Sequence, residues 1–170
     1  MVNEIKNYSC CLIGHRKVED IDKVTEKLKS TLINLIEKEN VTIFLFGANG
    51  EFNDLSYKII NELKSVYKLK TIFYSRRDEY AFTFEEKDRY TYKSKNRFPY
   101  KCFDEIIENS KVHLANIKQS YVLRNKLIIN SSDFCLFYYK ENYNLGLNRN
   151  SGTKIAYEYA KELDKVIVMV

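Results

Sequence analysis

Glycine and proline are scarce in this chain, with five Gly and one Pro among 170 residues. That poverty excludes collagen-like and low-complexity architectures and leaves few places where the backbone can turn sharply. Histidine is rarer still: only His15 and His113 are present, with no H-x-x-x-H spacing, so no zinc centre is expected. The four cysteines, Cys10, Cys11, Cys102 and Cys135, include no C-x-x-C pair, and the two adjacent ones would face opposite sides of a strand. Reduced, buried thiols are expected, and with them a cytoplasmic location. No run approaches the roughly 18 apolar residues of a spanning helix, and the N-terminus has no apolar signal core, so no membrane partner is expected. A net charge of +5 favours a phosphate-bearing ligand without being a nucleic-acid signature in itself.

What is present is a telling placement of the glycines. Gly14, Gly47 and Gly50 follow apolar runs, Cys10-Cys11-Leu12-Ile13 and Ile43-Phe44-Leu45-Phe46, and each run precedes a helical pattern. Gly152, in Asn150-Ser151-Gly152-Thr153, again opens a helix. Turns at strand-to-helix junctions of a parallel sheet share one edge, where unpaired helix N–H groups face ligands. Three segments are therefore expected to converge on one anion-friendly crevice: 14–16, 47–50 and 151–153.

The periodicities support a single α/β domain over residues 1–170, a doubly wound, mainly parallel Rossmann-like sheet flanked by helices. At this length about 70% of the unfolded chain's surface can be buried. An apolar strand over 8–13 leads to a helix in which Ile21, Val24, Leu28, Leu32, Leu35 and Ile36 recur at steps of three and four, ending near Asn40. A strand over 41–46 is apolar on both faces, as in a sheet covered on both sides. A second helix, with Leu55, Ile59, Leu63 and Val66 as its stripe, leads to a strand over 69–74. Right-handed crossovers would place these three strands in one sheet. Residues 75–101 then form an aromatic and basic insert. A short helix over 103–109, a short strand over 112–114, a helix over 119–130, a strand from Phe134, and a final helix burying Ile155, Tyr159 and Leu163 complete the pattern, with a last strand over 165–170.

Each candidate residue admits a functional and a structural role. Gly47 and Gly50 permit positive φ and close approach of a phosphate to the backbone, or simply a turn. Asn49 and Asn53 have a capping role open to them, Asn53 for the second helix. Arg16 can pair with a phosphate or hold a neighbouring loop through a carboxylate, and His15 can transfer a proton or bond to backbone. Arg124 can border the pocket or brace Asp133, which is expected to be structural. Ser151, Gly152 and Thr153 can cap the last helix and receive an anion with the same geometry. The basic, Tyr-rich insert can act as a flap, stack single-stranded bases, or form a solvated excursion; its interspersed Asp and Glu residues weaken attraction to a polyanion.

The ordered set Gly14-His15-Arg16, Phe46-Gly47-Ala48, Tyr121-x-x-Arg124-Asn125, Ser132-Asp133 and Ser151-Gly152-Thr153, with Tyr159-Ala160 in the last helix, resembles the SLOG superfamily, and within it the YpsA-like branch. The resemblance covers nearly the whole chain. It implies a Rossmann-like sheet whose strand ends bind a nucleotide or an ADP-ribose-like ligand, with Gly14, His15, Arg16, Gly47, Ala48, Asn49, Gly50, Arg124, Asn125, Ser151, Gly152 and Thr153 as candidate lining. Related branches include DNA-processing proteins and cytokinin-activating phosphoribohydrolases.

Those relatives frame three functional readings. A nucleotide sensor or regulator, acting through a partner or homo-oligomer, needs only the phosphate site. An N-glycosidase needs a carboxylate near the last helix. Deoxyribosyltransferases, which look similar there, place a glutamate three residues after the glycine-threonine pair, where this chain has Ala156. The nearby Glu158 is displaced by about 200° around the helix axis. Single-stranded DNA binding is the third reading. The sensor reading is favoured because it survives the loss of the carboxylate.

Overall fold

The computed structural model describes residues 6–47, 50–76, 82–83, 101–143 and 151–170, with 82–83 described for the backbone only. The strands are β1 (Tyr8–Gly14), β2 (Val41–Phe46), β3 (Lys70–Ser75), β4 (Phe82–Thr83), β5 (Cys102–Phe103), β6 (Glu105–Glu108), β7 (Phe134–Tyr138) and β8 (Val166–Met169). The helices are α1 (Ile21–Glu39), α2 (Glu51–Leu63), α3 (Ser110–Leu114), α4 (Ile117–Asn130) and α5 (Gly152–Glu162). Six strands form one parallel sheet in the order β6-β3-β2-β1-β7-β8, and β4 and β5 form a separate parallel pair. This is the Rossmann-like α/β architecture that the alternation of apolar runs and helical periods predicts.

Burial on both faces explains the continuous apolar strands. In β1 the five residues between Tyr8 and Gly14 are buried, with Cys10 and Leu12 on one face and Cys11 and Ile13 on the other. Val24, Leu28, Leu32, Leu35 and Ile36 of α1, together with Phe52, Ile59, Ile60 and Leu63 of α2, fill the first face. Ile128 and Ile129 of α4, together with Ala156 and Ala160 of α5, fill the second. All four cysteines are free and buried, and burial pushes the Cys10 and Cys11 thiols far above their ordinary range, leaving them inert.

Several local readings are corrected. The segment expected as a helix over 103–109 is extended, because β6 finds an open edge on β3, with Ile72 opposite Glu105 and Tyr74 opposite Ile107. The expected strand over 112–114 is helix α3, whose N-cap Asn109 accepts from the Lys111 and Val112 N–H groups. In α2, Val66 lies past the helix and is 74% exposed, while Phe52 and Ile60 join the buried stripe. In α5 the small residues Ala156 and Ala160 are buried and Leu163 is 42% exposed, because this helix lies close against the sheet. Asn53 does not cap α2; Gly50 occupies the N-cap position. Residues 77–81 and 84–100 of the insert lie outside the described residues.

Strand order also fixes where a site can form. From β1 the sheet grows one way through β2, β3 and β6, and the other way through β7 and β8. Chain connections therefore diverge at the β1/β7 boundary, and the C-terminal ends of these strands frame a crevice of the kind in which open α/β sheets bind ligands.

Candidate functional site

At the C-terminal edge the β1 and β2 turns are fastened to each other. The Glu51 backbone N–H donates to the Arg16 carbonyl at 2.8 Å. The Glu51 carboxylate accepts from the Val18 N–H at 2.8 Å and pairs with Lys17 Nζ at 2.7 Å. These contacts, the Lys17 hydrogen bond foremost, hold the Glu51 carboxyl below the usual carboxylate range. Gly50 makes the approach feasible: its φ of 147° lies where L side chains rarely go, and a Cβ there would meet the Arg16 Cα at 2.8 Å.

Gly14 and Gly47 have a different use from the one their turn positions imply. A Cβ on Gly14 would lie 2.3 Å from the Phe52 ring, and one on Gly47 would lie 2.2 Å from Ile128 Cδ1 and 2.9 Å from Arg124 Cδ. Gly47 is not among the positive-φ residues. Both glycines let a helix side chain come close against the end of a strand. Ala48 and Asn49, the remaining candidates of this turn, lie outside the described residues.

His15 is 2% exposed and accepts the Lys140 backbone N–H at Nε2, at 2.9 Å. Its ring stacks on Tyr143 with centroids 3.8 Å apart. Further bonds join the same two loops: Lys17 N–H to the Tyr143 hydroxyl, Glu19 N–H to the Tyr138 hydroxyl, and Lys140 Nζ to the Glu19 carboxylate. His15 thus ties the turn after β1 to the turn after β7, which is the backbone-bonded role. Burial, reinforced by the Lys140 charge, lowers its pKa, while the Lys140 carbonyl and Glu19 oppose the change.

The sign of that shift gives a prediction. The unfolded chain binds a proton at His15 near pH 6.5, whereas the folded chain binds it only at lower pH, so stability falls as pH drops below about 6.5. The urea midpoint of the wild-type protein is expected to drop between pH 7.5 and 5.5, and that drop is expected to shrink in His15→Gln. Equal pH dependence in the two proteins would contradict the assignment of a neutral, accepting His15.

A cluster of arginines gathers around Tyr121 of α4. Tyr121 of α4 has the guanidinium carbon of Arg76, which follows β3, 3.5 Å from its ring centroid. The corresponding distances are 5.3 Å for Arg124, one turn further along α4, and 5.8 Å for Arg16, which follows β1. Arg124 and Arg76 are 1% and 8% exposed, and Arg16 is exposed. Three guanidiniums from three parts of the chain thus surround one aromatic ring, whose negative faces stabilise each cation by about 0.5–2 kcal/mol. Asn53, on the first turn of α2, is 1% exposed, and its amide has no hydrogen-bond partner among the described residues; Asn125 Oδ1 is likewise buried without one among them.

Of the predicted lining, the structure brings together 14–16 with Gly50, and Gly47 with Arg124. Asp133 does not brace Arg124: it lies at the start of β7, where Oδ2 accepts from the Ser9 N–H and hydroxyl, a structural role at the opposite edge of the sheet. Ser151 caps α5 by accepting the Lys154 N–H at 3.1 Å, Thr153 is buried, and Gly152 has open space where a Cβ would stand. Ala156 lies in the core and Glu158 turns to solvent, near Lys154. Arg76 and Tyr121 are the residues that sequence reasoning left out of the site. Tyr121 stood within the quoted motif, but Arg76 lay in a run of alternating charges that gave no sign of its burial.

Among solved structures, the chain is similar to DNA processing protein A from Streptococcus pneumoniae, with a TM-score of 0.59 at 14% identity, covering 96% of this chain and 50% of that one. It is also similar to DNA processing protein A from Helicobacter pylori, a structure that describes a single-stranded DNA binding mode, with a TM-score of 0.55 at 17% identity, covering 95% of this chain and 64% of that one. The chain therefore spans about half the length of the first and under two-thirds of the second. At these identities the likeness establishes a shared Rossmann-like fold, and fold alone does not carry function. No family model and no curated protein sequence matches the chain.

Proposed function

We propose that the C-terminal edge of this sheet binds the phosphates of a nucleotide-type ligand, and that the protein acts as a sensor or regulator through that site. The carrying observation is the gathering of Arg16, Arg76 and Arg124 around Tyr121, at the edge where the β1 and β2 turns meet α2. Guanidinium forks match phosphate oxygens in pairs, and a partly buried setting strengthens such bonds. The ordered motifs support membership of the SLOG superfamily and its YpsA-like branch, for which an ADP-ribose-like ligand is the natural candidate. The glycosidase reading draws no support from α5, where Ala156 is packed in the core and Glu158 is exposed.

Thermal-shift screening against nucleotides, dinucleotides and ADP-ribose derivatives tests this reading. A ligand that binds only the native state raises stability by about 2.7 kcal/mol at one hundred times its dissociation constant. No shift with any phosphate-bearing compound would overturn the proposal. Single-stranded DNA binding is the second reading, favoured by the fold shared with the Helicobacter pylori protein. It predicts oligonucleotide binding that weakens steeply with salt, because each neutralised phosphate releases counterions.

A further inference from the structure

The buried thiols are not equivalent, and two of them stand side by side. Cys11 of β1 and Cys135 of β7 are direct partners in the parallel register between those strands, and both belong to the face packed under Ile128, Ile129, Ala156 and Ala160. Each is 0% exposed. Neighbouring strands run about 4.7–4.9 Å apart, inside the roughly 4.4–6.8 Å between Cα atoms that a disulfide spans. Cys10 lies on the other face of β1, with Phe134 as its register partner. Beside Cys135, the Ser132 hydroxyl lies 3.6 Å from Sγ and donates to the Ile129 carbonyl at 3.0 Å, while Lys165 Nζ donates to the Ser132 carbonyl at 2.7 Å. The hydrogen bond with Cys11 foremost, joined by that with Ser132 and by the Lys165 charge, holds the Cys135 thiol below its ordinary range despite burial. Burial holds Cys11 above it.

We propose that Cys11 and Cys135 are the two halves of a reversible disulfide switch, closed by a small hydroperoxide. Cys135 is the second residue of β7, and Ser131 and Asp133 in the turn leading to it are exposed, so fraying of that turn admits a small oxidant without opening the whole core. The Cys135 thiolate attacks one peroxide oxygen, the O–O bond breaks, and the departing alkoxide or hydroxide takes up a proton, leaving a sulfenic acid. Cys11, inert alone, is the register partner of that group. Its sulfur displaces the sulfenic hydroxyl, its proton leaves with that hydroxyl as water, and the S–S bond forms. Two thiols thus lose two electrons and two protons, while the hydroperoxide is reduced to an alcohol and water or, for hydrogen peroxide, to two waters. The strand spacing falls near the short end of the disulfide range, and strained links are the ones that small thiols reopen.

Mass spectrometry on the full chain tests the pairing directly. The reduced native protein would be treated with hydrogen peroxide, quenched, unfolded in an alkylating agent and digested without reduction. The expected result is that alkylatable thiols fall from four to two, that fragmentation of the linked peptides places the bond between Cys11 and Cys135, and that dithiothreitol restores all four. Cys10→Ser is expected to keep the link. Cys135→Ser is expected to remove it, and Cys11→Ser to leave oxidation stopped at a sulfenic or sulfinic acid on Cys135. The urea midpoint shows which variants are folded, and the wild-type linkage map decides the pairing without them. Because the closed link ties β1 to β7, amide exchange at Leu136 and Phe137 is expected to slow on oxidation.

Four thiols persisting in the native protein at a peroxide dose that oxidises the urea-unfolded chain would overturn the inference. So would a bond that uses Cys10 or Cys102, or oxidation of wild-type Cys135 to the sulfinic acid with no link to Cys11. Unchanged or faster exchange at Leu136 and Phe137 in the linked protein would overturn its role as a switch that fastens the two strands.

Discussion

Gly47→Val is expected to destabilise the fold by about 3 kcal/mol, the upper part of the range for overpacking a tight core. In a domain of this length that corresponds to roughly 6–12 °C in Tm. Even a single Cβ at this position would stand 2.2 Å from Ile128 Cδ1 and 2.9 Å from Arg124 Cδ, and valine adds two methyl groups beyond it. Neither neighbour has room to yield, since Arg124 and Ile128 are each 1% exposed. Helix α4 must move outward, and Tyr121 and Arg124 would move with it. Urea denaturation measures the loss. Adding Ile128→Ala vacates part of the contested space, so the double variant is expected to be less destabilised than the two single losses added together. An unchanged urea midpoint in Gly47→Val would mean that this glycine faces open space instead of α4.

Gly50→Ala is expected to cost about 3 kcal/mol through two causes that a side chain cannot escape. Backbone in such a sparsely populated region costs an L residue about 1–3 kcal/mol. The new Cβ would also meet the Arg16 Cα at 2.8 Å, a backbone atom that no rotamer change can remove. The β1 turn would separate from α2, breaking the bond from the Glu51 N–H to the Arg16 carbonyl. Amide hydrogen exchange at Glu51 is therefore expected to speed up. Wild-type protection at Glu51 together with an unchanged midpoint would show that the turn accommodates the methyl group and that the two loops are not locked through Gly50.

These two glycines mark how far the sequence alone reaches. Both are recognisable as turn residues at strand ends, because a glycine between an apolar run and a helical period is a local signal. Their separate purposes are not local. Gly47 is required by Arg124 and Ile128, which lie more than seventy residues away, whereas Gly50 is required by the backbone of Arg16 and by its own φ. His15 shows the same division. Its scarcity made it conspicuous, but its role as a clasp follows from Lys140 and Tyr143, which only the pairing of β1 with β7 brings near.

The α/β alternation, the length and period of α1, the doubly buried character of β1 and β2, and the presence of turns at the strand ends were all determined by the order of apolar and polar residues, since each depends on neighbours a few positions apart. Tertiary structure decided the rest. Residues 105–108 are a strand because β3 offered an open edge, although Phe103, Ile106 and Ile107 are also spaced for a helix. Arg16, Arg76 and Arg124 meet at Tyr121 because the strand order places the ends of β1, β2 and β3 side by side beneath α4. A charge carries no local mark of the partner it will meet, so such a cluster becomes visible only when the sheet has brought its distant segments to one edge.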